Sequence, residues 1–298
     1  MTSDPLLRAA IEETGARIDA AFDSLLTVPD DARAGLYEAM RYAAIGGGKR
    51  LRPILVVAAC DLFRVDRLRS LRPALAVECI HVYSLIHDDL PSMDDDDVRR
   101  GKPSLHRAFG EATAILAGDS LHALAFAILA DETTHEDPFA RLELIAELAR
   151  AAGPAGMAGG QMMDLNAAEL GLDLGAVTRL QQLKTGALIE WCVEAGAIMG
   201  KVPAEGRTGL RGYARGLGLA FQIADDLIDH EGHADKAGKP VGKDGAAGKG
   251  TFVSLLGAER ARQQADALVG QAIEHLHGFG EEADLLRALA RFAVERDH

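Results

Sequence analysis

The chain has 298 residues, 48% hydrophobic and 26% charged, which is enough apolar material for a sizeable core. A formal net charge of −13 argues against a general nucleic-acid or anionic-membrane binder, so any phosphate ligand must be met by a local basic cluster or by metal ions. The three cysteines, Cys60, Cys79 and Cys192, show no CxxC spacing, and no apolar signal core or membrane-length apolar run is present. A soluble cytoplasmic protein with buried thiols is expected.

Helical periodicity runs from end to end, with no convincing alternating strand. Pro5 precedes a first helix to about Leu26, and Val28-Pro29-Asp30-Asp31 reads as a turn with a cap. A second helix from Ala32 to Ala44 ends at Gly46-Gly47-Gly48, and Leu51-Arg52-Pro53 opens a buried one. After a basic turn, Pro73 is read as the start of a long helix carrying His81 and Asp88. Further helices are expected over 111–130, 137–152, 155–169, 173–200 (broken near Gly186) and 206–230. A Gly- and Lys-rich loop over 230–250 precedes a final pair over 251–277 and 281–296. With no linker and no repeat, residues 1–298 read as one all-α domain of about ten helices, with the chemistry placed between facing helices.

Two acidic clusters stand out. The first, Asp88-Asp89-Leu90-Pro91-Ser92-Met93-Asp94-Asp95-Asp96-Asp97, closes an apolar helix and is followed by Arg99-Arg100. At an effective dielectric near 20, neighbouring carboxylates repel by about 3–4 kcal/mol. Such a cluster suits either open water or hard divalent cations, and the arginines suit bound phosphate. On an ideal helix Asp88 and Asp94 lie about 120° apart; a kink or bulge at Pro91 would let both reach the same ions. The second cluster, in Phe221-Gln222-Ile223-Ala224-Asp225-Asp226-Leu227-Ile228-Asp229, places Phe221, Gln222, Asp225 and Asp229 on one helix face. Alone it could be a polar stripe; paired with the first, it reads as the other wall of one metal site.

The basic residues are placed to meet an anion. Gly48, Lys49 and Arg52 form a Gly-rich basic turn, and His81 lies seven residues before Asp88 on nearly the same stripe. The competing reading is a helix C-cap followed by a cationic surface. Lys184-Thr185-Gly186 interrupts an apolar-periodic helix; it reads either as surface snorkelling or as a pair suited to a diphosphate oxygen. The loop lysines Lys236, Lys239, Lys243 and Lys249 read either as a cover over a charged ligand or as plain solubilising charges, and Gln161 and Asp164 share a helix face that core packing with a capped polar edge also explains.

Taken together these motifs resemble the trans-isoprenyl diphosphate synthases, specifically their bacterial short-chain, farnesyl diphosphate synthase-like branch. The markers are GGGKRLRP at 46–53, ECIHVYSLIHDDLPSMDDDDVRRGKPSLH at 78–106, GGQMMDL at 159–165, KTG at 184–186, FQIADDLID at 221–229 and GKP at 238–240. They cover nearly the whole chain. The resemblance implies the isoprenoid synthase fold, a helical bundle around a central cavity, acting as a homodimer with three Mg²⁺ ions. Asp88 and Asp94 would bind two ions and Asp225 the third, with Asp89 and Asp229 supporting. The allylic diphosphate would sit on them with Arg99, Lys184, Thr185, Gln222 and Lys239, beneath a loop that includes Lys249. Isopentenyl diphosphate would be held by Gly48, Lys49, Arg52, His81 and Arg100.

In related enzymes the residues just upstream of the first aspartate stop the growing chain; here they are Tyr83 and Ser84. A bulky Tyr83 and the six-residue spacing from Asp88 to Asp94 resemble farnesyl producers, although helix geometry puts Ser84 nearer the Asp88 stripe, which leaves a geranylgeranyl product open. Three rival classes share some of these features. A terpene cyclase does not fit the second aspartate cluster or GGGKRLRP. A regulatory homologue would usually lose one acidic motif. An EF-hand fails because positions six and twelve from Asp225 are His230 and Lys236.

Overall fold

The computed structural model describes residues 2, 4–231 and 250–295. The first helix, α1 (Pro5–Leu25), starts where Asp4 accepts hydrogen bonds from the backbone N–H of Leu6 (2.8 Å) and Leu7 (3.2 Å). Such caps contribute about 1 kcal/mol each. α2 (Ala34–Ala44) and α3 (Leu51–Asp61) follow, joined by the glycine turn. α4 (Arg67–Asp88) is capped by Asp66 and leads to a two-residue hairpin, β1 (Val98–Arg99) with β2 (Lys102–Pro103), paired antiparallel. Next come α5 (Leu105–Phe109), α6 (Glu111–Ala130), α7 (Pro138–Ala152), α8 (Met157–Leu165), α9 (Ala167–Leu170) and α10 (Leu174–Gln181). A π-helical turn over Gln182–Gly186 runs into α11 (Ala187–Met199), then α12 (Thr208–Glu231), α13 (Phe252–Leu256), α14 (Ala258–Glu274) and α15 (Asp284–Glu295).

The core is centred on α3, α4, α6 and α11, whose buried residues include Ile54, Ile80, Leu121 and Trp191. Small residues bring these helices close: a Cβ at Gly196 of α11 would lie 2.4 Å from the Ala59 carbonyl carbon of α3. Buried polar tips are paired, Trp191 Nε1 donating to Leu144 O (3.2 Å) and Tyr213 Oη to Leu286 O (2.7 Å). A smaller cluster of Val177, Ile223, Leu227, Phe252 and Val253 packs α10, α12 and α13 together. That cluster backs the acidic face of α12.

Three expectations need correction. Among the described residues, which hold fifteen α-helical segments, Asn166 and Gly257 divide stretches read as continuous, while the π turn falls at the break expected near Gly186. The long helix begins at Arg67, not Pro73: the Asp66 cap holds its first turn, and Pro73 is accommodated inside the helix. Pro91 does not kink that helix, which has already ended at Asp88. Helix α6 has a mean hydropathy of 1.6 over an 18-residue window and is by length and composition apolar enough to cross a membrane. In the fold it packs along α4 and buries Ala114, Ala117, Leu121, Ala125 and Leu129.

Candidate active site

The end of α4 turns back on itself. Asp94 N–H donates to Asp88 O (2.9 Å) and Asp95 N–H to Leu90 O (3.2 Å), with Asp95 in the left-handed region at φ 50°. The turn therefore returns Asp94 to Asp88 without any distortion of the helix. Burial pushes the Asp88 carboxyl up to about 6; the Asp94 and Asp89 charges add to this, and Lys184 and Arg99 oppose it. A carboxylate raised by burial and like charge is a donor that a hard cation relieves. Asp89, expected as a supporting metal ligand, is 2% exposed and accepts from Arg99 Nε at 3.0 and 3.2 Å, with a further contact from Arg99 Nη2. Arg99 also reaches Asp96 (3.4 Å), so this pair of carboxylates holds the arginine.

Lys184 and Thr185 occupy the π turn, a geometry that occurs mostly at functional sites. Lys184 Nζ is 2.9 Å from Asp164 of α8, the residue that shares a face with Gln161. Gly160 makes room for this: a Cβ there would lie 2.2 Å from Lys184 N. The π turn also packs on α12, where a Cβ at Gly218 would stand 3.2 Å from Gly186 Cα. Lys184 thus acts on Asp88 of one acidic wall while its own segment rests on the helix of the other. On α12, Gln222 Nε2 donates to Asp225 Oδ2 (3.2 Å), Asp229 is half-buried, and Asp226 instead accepts from Phe252 N–H (2.8 Å), tying α13 down.

The glycine turn builds the cationic side. Gly46 and Gly48 adopt φ +74° and +76°, and Cβ atoms at Gly47 or Gly48 would come within 2.7 Å of the Arg100 guanidinium, which lies across the turn. Burial lowers the His81 pKa well below its ordinary value, and the charges of Arg52, Arg100, Arg50 and Arg99 lower it further. His81 is therefore a neutral donor within reach of four guanidinium fields. Arg52 Nε is buried without a hydrogen-bond partner and suits an oxyanion. Lys49 lies over the Phe292 ring at 5.2 Å.

Tyr83 faces α6, its ring 4.9 Å from that of His122 and 5.7 Å from that of His87. Ser84 Oγ donates to His81 O (2.9 Å). Among the described residues one group has metal-ligand spacing as it stands: Asp95, Asp97 and His106, with ligand atoms within 4.8 Å of one another. No three of the five predicted ligands approach that closely. Lys236, Lys239, Lys243 and Lys249 lie outside the described residues.

Sequence reading missed Arg50. It is 4% exposed, sits at φ 51°, and bonds Glu78 (2.6 Å), Asp19 (2.6 Å) and Ala44 O (2.5 Å). The available signal was Glu78, a single carboxylate inside the apolar run PALAVECIHVY, which requires a buried cation.

A helical bundle with two aspartate walls, a lysine in a π turn and a glycine-backed arginine pocket defines a protein that handles diphosphates. The model of the polyprenyl synthetase family matches residues 33–291. The chain belongs to that family and is a prenyltransferase. It is 47% identical over 270 residues to the farnesyl diphosphate synthase of Escherichia coli, covering 87% of this chain and 89% of that one. The Bacillus subtilis farnesyl diphosphate synthase is 41% identical, at 94% and 93% coverage. A crystal structure described as an FPP/GFPP synthase from Zymomonas mobilis is 58% identical, with a TM-score of 0.88 and coverage of 97% and 98%.

Proposed function

We propose that the protein condenses isopentenyl diphosphate with dimethylallyl and geranyl diphosphates to give farnesyl diphosphate, the whole chain forming one catalytic unit. The observation that carries this reading is Arg99, whose charge acts both on Asp88, together with Asp94 and Lys184, and on His81, together with Arg52 and Arg100. Asp88, Asp94, Asp225 and Asp229 would hold Mg²⁺, three ions in all. When bound, these ions supply the positive charge that the departing diphosphate needs. Lys184 and Arg99 donate to that diphosphate, with Thr185 and Gln222 fixing its orientation. The allylic C–O bond breaks, the leaving diphosphate taking the electron pair. The isopentenyl double bond then forms the new C–C bond and a proton passes to the released diphosphate. Arg52, Arg100, Lys49 and neutral His81 keep isopentenyl diphosphate in place through both steps. The buried, free thiols of Cys60, Cys79 and Cys192 fit a cytoplasmic setting.

Tyr83 is assigned as the floor that ends elongation. Incubation with isopentenyl diphosphate and each allylic partner, followed by sizing of the released prenyl alcohols, is expected to give mainly the farnesyl product. Tyr83→Ala is expected to move the product towards geranylgeranyl and longer chains. A wild-type product that stops at ten carbons, or no condensation at all, would overturn this assignment.

We also infer a homodimer. Ile115 (44%) and Leu116 (56%) on α6 and Phe139 (77%) and Leu142 (61%) on α7 leave apolar surface exposed in the single chain. Light scattering is expected to give twice the chain mass for the wild type and a smaller species for Leu116→Glu. A monomeric wild type would contradict it.

A further inference from the structure

Apart from the two aspartate walls, three ligand-bearing side chains converge at the hairpin that carries Arg99 and Arg100. Asp95 and Asp97 precede β1, His106 follows β2, and their ligand atoms all lie within 4.8 Å of one another. Asp96, between the two aspartates in sequence, is 6% exposed and reaches Arg99 (3.4 Å), whereas Asp95 and Asp97 are exposed. None of the three belongs to the set assigned to Mg²⁺, which is Asp88, Asp94, Asp225 and Asp229.

The imidazole points to a ligand on its own account. His106 is 6% exposed, and its Nε2 is buried with no hydrogen-bond partner. Its Nδ1 lies 3.1 Å from the Oγ of Ser104, which is itself buried. A protonated ring would use Nε2 to bond one of the nearby carboxylates, and Nε2 bonds neither. With the proton on Nδ1 and the serine oxygen accepting it, the Nε2 lone pair is left for a metal ion. Metal-bound histidines are commonly oriented in this way, through the ring nitrogen that does not bind the metal.

One imidazole nitrogen and two carboxylate oxygens suit a borderline transition metal such as Zn²⁺ or Co²⁺ better than Mg²⁺, which prefers oxygen alone. Ligands about 2.0–2.2 Å from one ion stand roughly 3.5 Å apart. Rotation of the two exposed aspartates closes the difference, while packing keeps the imidazole where it is. Arg107 Nε, 2.8 Å from Asp97 Oδ1, orients that carboxylate and leaves lone pairs on both of its oxygens. The ends of the hairpin already meet, Ser104 N–H donating to Asp97 O (2.9 Å). We propose that Asp95, Asp97 and His106 bind one transition-metal dication, which staples the hairpin of Arg99 and Arg100 independently of the Mg²⁺ walls.

Calorimetric titration of Zn²⁺ into the full chain, with Mg²⁺ in excess, is expected to show one Zn²⁺ site in both the wild type and Asp88→Asn/Asp225→Asn. Ser104→Ala, which removes only the hydroxyl behind the ring, should weaken it by about tenfold. Asp95→Asn and Asp97→Asn, both at exposed positions, should each weaken it at least as much, and His106→Ala should abolish it. Hydrogen exchange at the amides of residues 98–102 should slow when Zn²⁺ is added to the wild type and stay unchanged in Asp97→Asn. Zn²⁺ binding that disappears in Asp88→Asn/Asp225→Asn belongs to the walls and overturns the separate site. Binding that Asp95→Asn and Asp97→Asn leave unchanged lies elsewhere and overturns it too, as does the absence of any Zn²⁺ binding. Binding that follows every variant but leaves exchange in the hairpin unaltered overturns the staple.

Discussion

Asp88→Asn is expected to drive activity and stability in opposite directions. On the proposed reading of Asp88 as a cation ligand, its loss should cost several kcal/mol of transition-state charge stabilisation, or roughly a thousandfold in kcat. In the cation-free protein the same change should be stabilising. Asp88 titrates near 6 in the fold against an ordinary 3.8, chiefly because it is buried. With the folded value above the unfolded one, its favourable contribution is complete below about pH 3.8 and is lost as the pH rises through 6. At pH 8 the ionised group therefore costs up to about 3 kcal/mol. Asparagine removes that cost, so Tm in EDTA should rise by a few degrees at pH 8 and change little at pH 4. With saturating Mg²⁺ the order should reverse, because binding stabilises only the chain that can bind. Differential scanning fluorimetry at the two pH values, with and without Mg²⁺, reads all four cases. A Tm for Asp88→Asn below wild type in EDTA at pH 8 would contradict the assignment.

The second large effect is on the fold. Arg50→Met should destabilise the protein by about 3–5 kcal/mol, because it strands a buried carboxylate. Glu78 is 1% exposed, and its Oε2 already lacks a hydrogen-bond partner, so it has no alternative for the Arg50 bond at 2.6 Å. The double variant Arg50→Met/Glu78→Leu should recover much of that loss, since a buried pair replaced by apolar side chains is often neutral or better. Arg50→Lys should rescue poorly, because one ammonium cannot span Glu78, Asp19 and Ala44 O. Asp19 also accepts from Gly46 N–H (3.2 Å), so loosening Arg50 frees the glycine turn on which the Arg100 guanidinium rests. A raised KM for isopentenyl diphosphate in the double variant, with its stability restored, would show that link. Urea denaturation and steady-state kinetics on the three variants separate the two consequences.

The sequence reveals groups whose chemistry is self-evidently costly. Carboxylates as dense as those of 88–97 and 225–229 sit either in open water or beside cations, and three successive glycines before basic residues mark a close approach of backbone to charge. Helix faces also follow from spacing, which is why Gln222 and Asp225 were paired correctly. What escapes is whatever depends on partners distant in the chain. Nothing local says that Arg50, flanked by Lys49 and Leu51, turns inward to meet Glu78 of another helix. Asp89 and Asp88 are adjacent and alike in sequence, yet one pairs with Arg99 and the other faces Lys184, because the helix ends between them. Pro73 reads as a helix start because proline so often is one; the Asp66 cap, seven residues earlier, already fixes the first turn. The contact of the Tyr83 ring with that of His122 likewise depends on the packing of α4 on α6.

The most direct test is the cation dependence of two separate binding events. Calorimetric titration should show a non-ionising geranyl thiolodiphosphate binding with Mg²⁺ and failing to bind in EDTA, since its diphosphate is to rest between aspartate walls. Isopentenyl diphosphate should bind in both conditions, because arginine, lysine and neutral histidine alone hold it, and Arg52→Ala should abolish that binding. Binding of the thiolodiphosphate in EDTA as tight as in Mg²⁺ would contradict the two-walled cation site, and with it the proposed route of allylic ionisation.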